Sequence, residues 1–243
     1  MERSKYFIIF IMLLCVIKLQ ATYKTEVYNA YISNNMAKWK TVIDIMNIEK
    51  NKSNDFLSEL INYQYGYIAW CIGNNKDEIA EIYLNLAERN LSILEKSAYK
   101  LYLVNSYKSA FYGFRIGLNI FKAPFIGPKS VDCAKLAIKL NINDPYGYIQ
   151  YGNSQYYMPA AFGGSKIVAL DYYKKAESLM ELNTQQIKDD WNYLSQLTII
   201  AKVYSDLQNY KMAKIYYEKI LKLEPNFLWV KNELYPELLK KIN

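Results

Sequence analysis

Apolar residues recur along this chain every three or four positions, and no stretch sustains alternation in twos. A period near 3.6 marks helices that bury one face, so the pattern predicts an all-helical protein. It is clearest from Leu197 to Pro225, where Leu197, Ile200, Ala201 and Tyr204 stand at offsets 0, 3, 4 and 7. Three large side chains there share a face with Ala201, whose small size lets a neighbouring helix come close. Asn209-Tyr210 breaks the pattern, and a second helix then presents Ala213, Tyr217 and Ile220 on one stripe. Pro225 stands where that helix is over and a missing N–H costs nothing.

Read backwards from this hairpin, the chain divides into helix pairs. Asp144-Pro145 is a strong helix start, a capping carboxylate followed by proline in the first turn. The pair it opens, Asp144 to Leu182, places Gly152 at the small position of its first helix. Ala169, Tyr173 and Ala176 of its second helix match Ala213, Tyr217 and Ile220 one for one. Two looser pairs come before, Asp55 to Ile93 and Ser97 to Asn143. In the first, Gly66 and Ile68 both compete for the small position. In the second, Lys122 to Pro128 reads as a turn-rich break, with Ser130 capping the helix that follows. Tyr23 to Glu49 reads as two short helices, the second with Trp39, Val42, Ile43 and Met46 on one face. Phe227 to Lys241 reads as a closing helix over the last apolar face, using Leu228, Leu234 and Leu238, with Pro236 interrupting it.

The offsets of the last pair, with Ala213, Tyr217 and Pro225 at 16, 20 and 28, resemble the tetratricopeptide repeat (TPR), a helix–turn–helix unit of about 34 residues. The likeness is specific in the last two pairs and loose in the first two. It implies an α-solenoid of about four TPR-like units with capping helices at both ends, and a binding function rather than an enzymatic one. In such a coil the first helices line the concave groove. The third unit would then offer Tyr146, Asn153 and Tyr156, and the last would offer Thr198, Lys202 and Ser205, to hold a protein or peptide by hydrogen bonds and aromatic contact. The block Met158 to Gly164 resembles one found in exported bacterial TPR proteins, among them the accessory T-components of some transporters that depend on binding proteins. An accessory transporter subunit is therefore the first alternative, and a structural assembly protein of the cell envelope the second.

Residues 1–21 follow a different pattern. Arg3 and Lys5 precede an apolar run from Phe7 to Ile17, and Ala21 is a small residue at its end. That is the layout of a secretory signal peptide, and it places residues 22–243 outside the cytoplasm, in the periplasm or cell envelope. An uncleaved anchor is the alternative. Cys15 lies within the run, and Leu14 before it departs from the bacterial lipoprotein pattern.

Composition narrows the chemistry. The chain has no histidine, which removes Ser-His-Asp and Cys-His catalysis and imidazole metal sites. Its net charge of +7 falls to +5 once the three cations and one anion of the leader are removed. The cations are scattered among acids, with no basic stripe for nucleic acid. The carboxylate pairs Asp189-Asp190 and Glu177/Glu181 read as solvated faces, and Gly163-Gly164-Ser165-Lys166 as a turn and cap, since it lacks the spacing of a phosphate loop. Cys71 and Cys133 read as free thiols. Tyrosine is abundant, 25 of 243 residues, but an AT-rich genome gives the same bias, so the count alone names no stacking site. No metal and no cofactor is expected; association with a membrane complex is compatible with export.

Overall fold

The structure is a computed structural model that describes residues 23–242; the leader read in residues 1–21 lies outside them. The described residues form helices and no strands. A first helix over 23–32, α1, is followed by α2 (Met36–Ile48), and the four expected pairs come next. They are α3 (Asn54–Gly73) with α4 (Asp77–Lys96), α5 (Leu101–Leu118) with α6 (Ala123–Leu140), α7 (Pro145–Tyr157) with α8 (Lys166–Glu181), and α9 (Trp191–Asp206) with α10 (Tyr210–Leu223). Each helix packs most closely on its own partner and next on the following pair. The chain is thus an α-solenoid of helix pairs with capping helices at both ends. None of the described helices is long and apolar enough to cross a membrane.

The local signals explain most boundaries. The Asp144 carboxylate accepts the Tyr146 amide at 3.0 Å, Pro145 fills the first turn of α7, and Asn209 caps α10 through the Met212 amide at 3.2 Å. Ser165 caps α8 through the Val168 amide at 3.3 Å. The glycines before it serve the turn. Gly163 has φ +94°, and a Cβ on Gly164 would lie 1.8 Å from the Met158 carbonyl oxygen, so no other residue fits there. The small positions also hold: Ala169, Ala176, Ala201 and Ala213 are fully buried, and Gly152 lies against the Tyr173 ring. Cys71 and Cys133 are free.

Four expectations need correction. Lys122 to Pro128 is not a loose break: a single 3₁₀ turn, Ile120–Lys122, leads directly into α6, with Pro124 in its first turn. Pro128 lies inside the helix and forfeits only one ladder bond near its start. Ser130 is therefore no cap; it is buried in α6 and donates to the Ser109 carbonyl at 2.8 Å. At the C-terminus a π-helical stretch, Val230–Leu234, precedes α11 (Tyr235–Ile242) and absorbs Pro236. Its buried anchors are Phe227, Val230 and Leu238, whereas Leu228 is exposed. Finally, Glu177 is not solvated. It is buried on α8 and accepts from Tyr216 and from Lys219 of α10, both at 2.7 Å.

Two hydrophobic cores result, one centred on α1 to α5 and one on α7 to α11, and both ends of the chain help to join them. Trp191 of α9 is buried in the first core and Tyr28 of α1 in the second. The Tyr28 hydroxyl donates to Glu224 at 2.9 Å, and the Tyr31 ring lies 4.8 Å from that of Phe227. The solenoid bends until its first helix meets its last pair.

Candidate functional site

This closure turns the first helices toward a common interior, and aromatic rings fill much of it. Centroid distances of 4.8–6.3 Å link Phe114, Tyr65, Trp191, Tyr31 and Phe227, with Trp39 set between Trp191 and Tyr31. The rings come from α5, α3, α9, α1, α2 and the segment after α10. Gly66 makes the crossing feasible, because a Cβ there would lie 2.7 Å from both the Trp39 and Trp191 rings.

Two amide clusters sit among the rings. At the first, Asn62 of α3 pairs reciprocally with Asn192 at 3.0 and 3.2 Å, accepts the Trp191 indole N–H at 3.0 Å and donates to the Tyr107 hydroxyl at 3.0 Å. The second lies on α7. Asn153 donates to Gln150 at 3.0 Å and to the Tyr65 hydroxyl at 3.4 Å, and accepts from Tyr173 at 2.7 Å. Gln150 is only 2% exposed, yet its Nε2 has no hydrogen-bond partner among the described residues. A buried amide donor left open beside a tyrosine-rich wall is costly unless something accepts from it.

One ring of this region remains accessible. Tyr157, the last residue of α7, is 69% exposed. Surrounding protein nevertheless pushes its phenol up to about 12, with Tyr65 and Asp206 adding to the rise. Burial also raises the Tyr65 phenol, against the opposing effect of the Gln150 and Asn153 amides. Tyr65, Phe114, Gln150 and Asn153 thus form one contiguous cluster of rings and amides, with Tyr157 at the end of the same helix as the two amides.

The six residues expected to contact a partner divide by unit. In the third unit, Tyr146 meets Tyr107 ring to ring at 6.1 Å, Asn153 belongs to the second amide cluster, and Tyr156 donates to Asp206 at 2.8 Å with Lys166 above its ring. Thr198 is buried and donates to the Leu194 carbonyl of its own helix at 2.7 Å. Lys202 lies over the Trp229 ring, and Ser205 accepts from Lys241 of α11 at 3.4 Å. The C-terminal segment therefore occupies the face that the last unit was expected to offer. Sequence reading did not single out Tyr65, Phe114, Gln150 or Tyr157. Tyrosine abundance was a signal for Tyr65 and Tyr157 alone, and it does not distinguish core from wall.

No family model matches the chain, and no curated protein matches it. Among solved structures, the fold is similar to that of the HusA haemophore from Porphyromonas gingivalis. The TM-score is 0.58 at 19% identity, with 74% of this chain and 92% of that chain covered. At this identity the likeness concerns the helical architecture.

Proposed function

We propose that this chain is an exported, non-enzymatic binding protein of the TPR type, and that its ligand sits on the interior wall formed by Tyr65, Phe114, Gln150, Asn153 and Tyr157. The observation that supports the reading is the buried Gln150 amide, whose Nε2 makes no full hydrogen bond among the described residues, clustered with Asn153 and Tyr65 on the helix that ends at the exposed Tyr157. Flat aromatic walls with one polar contact suit a planar, mostly apolar molecule. A porphyrin is the first candidate, since a haemophore shares the fold. With no histidine in the chain, a bound haem would rely on ring stacking and on tyrosine, which can serve as a haem ligand. Titration with haemin and with metal-free protoporphyrin, followed by absorbance and tryptophan quenching, tests the proposal. Saturable binding of one equivalent is expected, weakened at least tenfold by Tyr157→Ala. If neither porphyrin binds at micromolar concentration, the ligand assignment is wrong.

The peptide-holding role implied by the repeat resemblance uses the same interior. Of its six residues, Tyr146, Asn153 and Tyr156 as well as Thr198, Lys202 and Ser205 are engaged within the chain. For that reason the small-ligand reading is preferred. The transporter-accessory alternative predicts a soluble binding protein among the partners recovered by crosslinking in the native envelope.

A further inference from the structure

Helix pairs joined by short turns leave all four pair turns on one edge of the solenoid. Packing of α5 on α3 and on α7 brings neighbouring turns together, and Gly117 near the end of α5 lies 3.5 Å, measured to a built Cβ, from Ile72 near the end of α3. The four turns differ in character. The first, Gly73 to Lys76, and the last, Leu207 to Asn209, are mainly polar. The middle two are not. Ile120, Phe121 and Phe125 are 65%, 83% and 75% exposed, and Phe162 and Ile167 of the next turn are 78% and 64% exposed. Single exposed apolar residues are ordinary, whereas several gathered on adjacent turns mark an interaction surface.

The charges beside them point to one kind of occupant. Lys122 and Lys129 are exposed within residues 119–131, and Lys166 is exposed within 158–170; the nearest acids along the chain, Asp132 and Asp171, follow these segments and are exposed as well. Lys166 is paired with Asp206 at 3.2 Å, which leaves Lys122 and Lys129 as the leading cations. Exposed rings flanked by the two unpaired lysines match the acyl boundary and headgroup layer of an anionic bilayer.

We propose that the turns around Phe121 and Phe162 form a membrane-docking edge, which inserts Ile120, Phe121, Phe125 and Phe162 into an anionic lipid surface while Lys122 and Lys129 meet the headgroups. The interior wall then stays open beside the bilayer, with Tyr157 at the start of the same turn as Phe162. This inference does not depend on the identity of the interior ligand.

The test uses the full chain and vesicles of phosphatidylglycerol or phosphatidylcholine carrying brominated acyl chains, which quench tryptophan on contact. A tryptophan is introduced by Phe121→Trp, or by Asn143→Trp on the opposite edge. Extra quenching is expected for Phe121→Trp in phosphatidylglycerol vesicles, with little for Asn143→Trp, and several-fold less at about 0.5 M salt. Adding Phe125→Asp and Phe162→Asp to Phe121→Trp should reduce the quenching about tenfold. Equal quenching at positions 121 and 143, or none at either, overturns the proposal. So does vesicle-free self-association that the two Asp changes abolish, because it would assign the edge to a second copy of the chain. Readout at a single position separates docking by the edge from any membrane affinity of the N-terminal apolar run.

Discussion

The Trp191 indole donates to Asn62 Oδ1 at 3.0 Å across 129 residues of chain, and this bond fastens the last helix pair to the first. The same Asn62 pairs with Asn192 and donates to Tyr107, so one amide serves three elements. Asn62→Leu would strand the buried indole N–H and the Asn192 Oδ1, while the Asn192 N–H keeps its bond to Asp190. Each unsatisfied buried group costs about 1–3 kcal/mol, so a total loss of roughly 2–5 kcal/mol is expected, read from urea unfolding. A change below about 1 kcal/mol would show that the closure contributes little.

The glycines give a paired prediction of opposite sign. Gly66→Ala places a Cβ 2.7 Å from two indole rings, and neither ring can give way. Trp39 is held by its bond to the Tyr63 carbonyl at 3.0 Å and Trp191 by Asn62. Overpacking of this kind costs about 1–3 kcal/mol. Gly113→Ala, at an exposed position of α5 with nothing within 4 Å of the added Cβ, should instead gain about 0.5–1 kcal/mol from reduced backbone freedom. Thermal melts of both variants check the pair. If both destabilise, the recess at Gly66 is not the cause.

Gly66 also marks where sequence reading stopped. The small positions Gly152, Ala201 and Ala213, and the caps at Asp144 and Asn209, were legible because each works within its own helix pair. Gly66 stayed ambiguous against Ile68 because its partners, Trp39 and Trp191, lie on other helices. The interior wall stayed hidden for the same reason: Tyr65, Phe114, Gln150 and Tyr157 follow no local spacing, and a general tyrosine bias masked them. Pro124 and Pro128 misled in the other direction, since proline is a breaker in mid-helix but is compatible with a helix start.

Glu177 and Glu181 bear on the last pair. Both accept from Lys219 at 2.7 Å, and Tyr193 of α9 donates to Glu181 at 2.6 Å, so this cluster ties α8, α9 and α10 together. Lys219→Met would leave the Glu177 carboxylate buried with only Tyr216 to donate to it. Breaking a buried pair from one side costs about 3–5 kcal/mol, and the part-exposed lysine reduces this to roughly 2–3 kcal/mol. Double substitution, Lys219→Met with Glu177→Gln, should recover part of the loss. A double variant no more stable than Lys219→Met would show that the unpaired charge is not the source of the loss.

Asp144 predicts the pH dependence. Burial lifts its carboxyl from 3.8 to about 6, against the opposing effects of the Tyr146 amide and Lys100. Asp190, the cap of α9, is raised in the same sense by burial. In the window between about 4 and 6 the folded chain therefore binds more protons at Asp144 than the unfolded chain does, so its contribution to stability falls as pH rises and levels off above it. Asn is as good a cap as Asp and carries no charge to desolvate. Asp144→Asn should consequently stabilise the protein by roughly 1–2 kcal/mol near pH 7.5, after discounting for solvent screening. The advantage should shrink to nothing near pH 4, where the wild-type carboxyl is already neutral in the fold. Urea midpoints of the two proteins at both pH values test this. An advantage that is equal at both would trace the gain to cap geometry instead of burial.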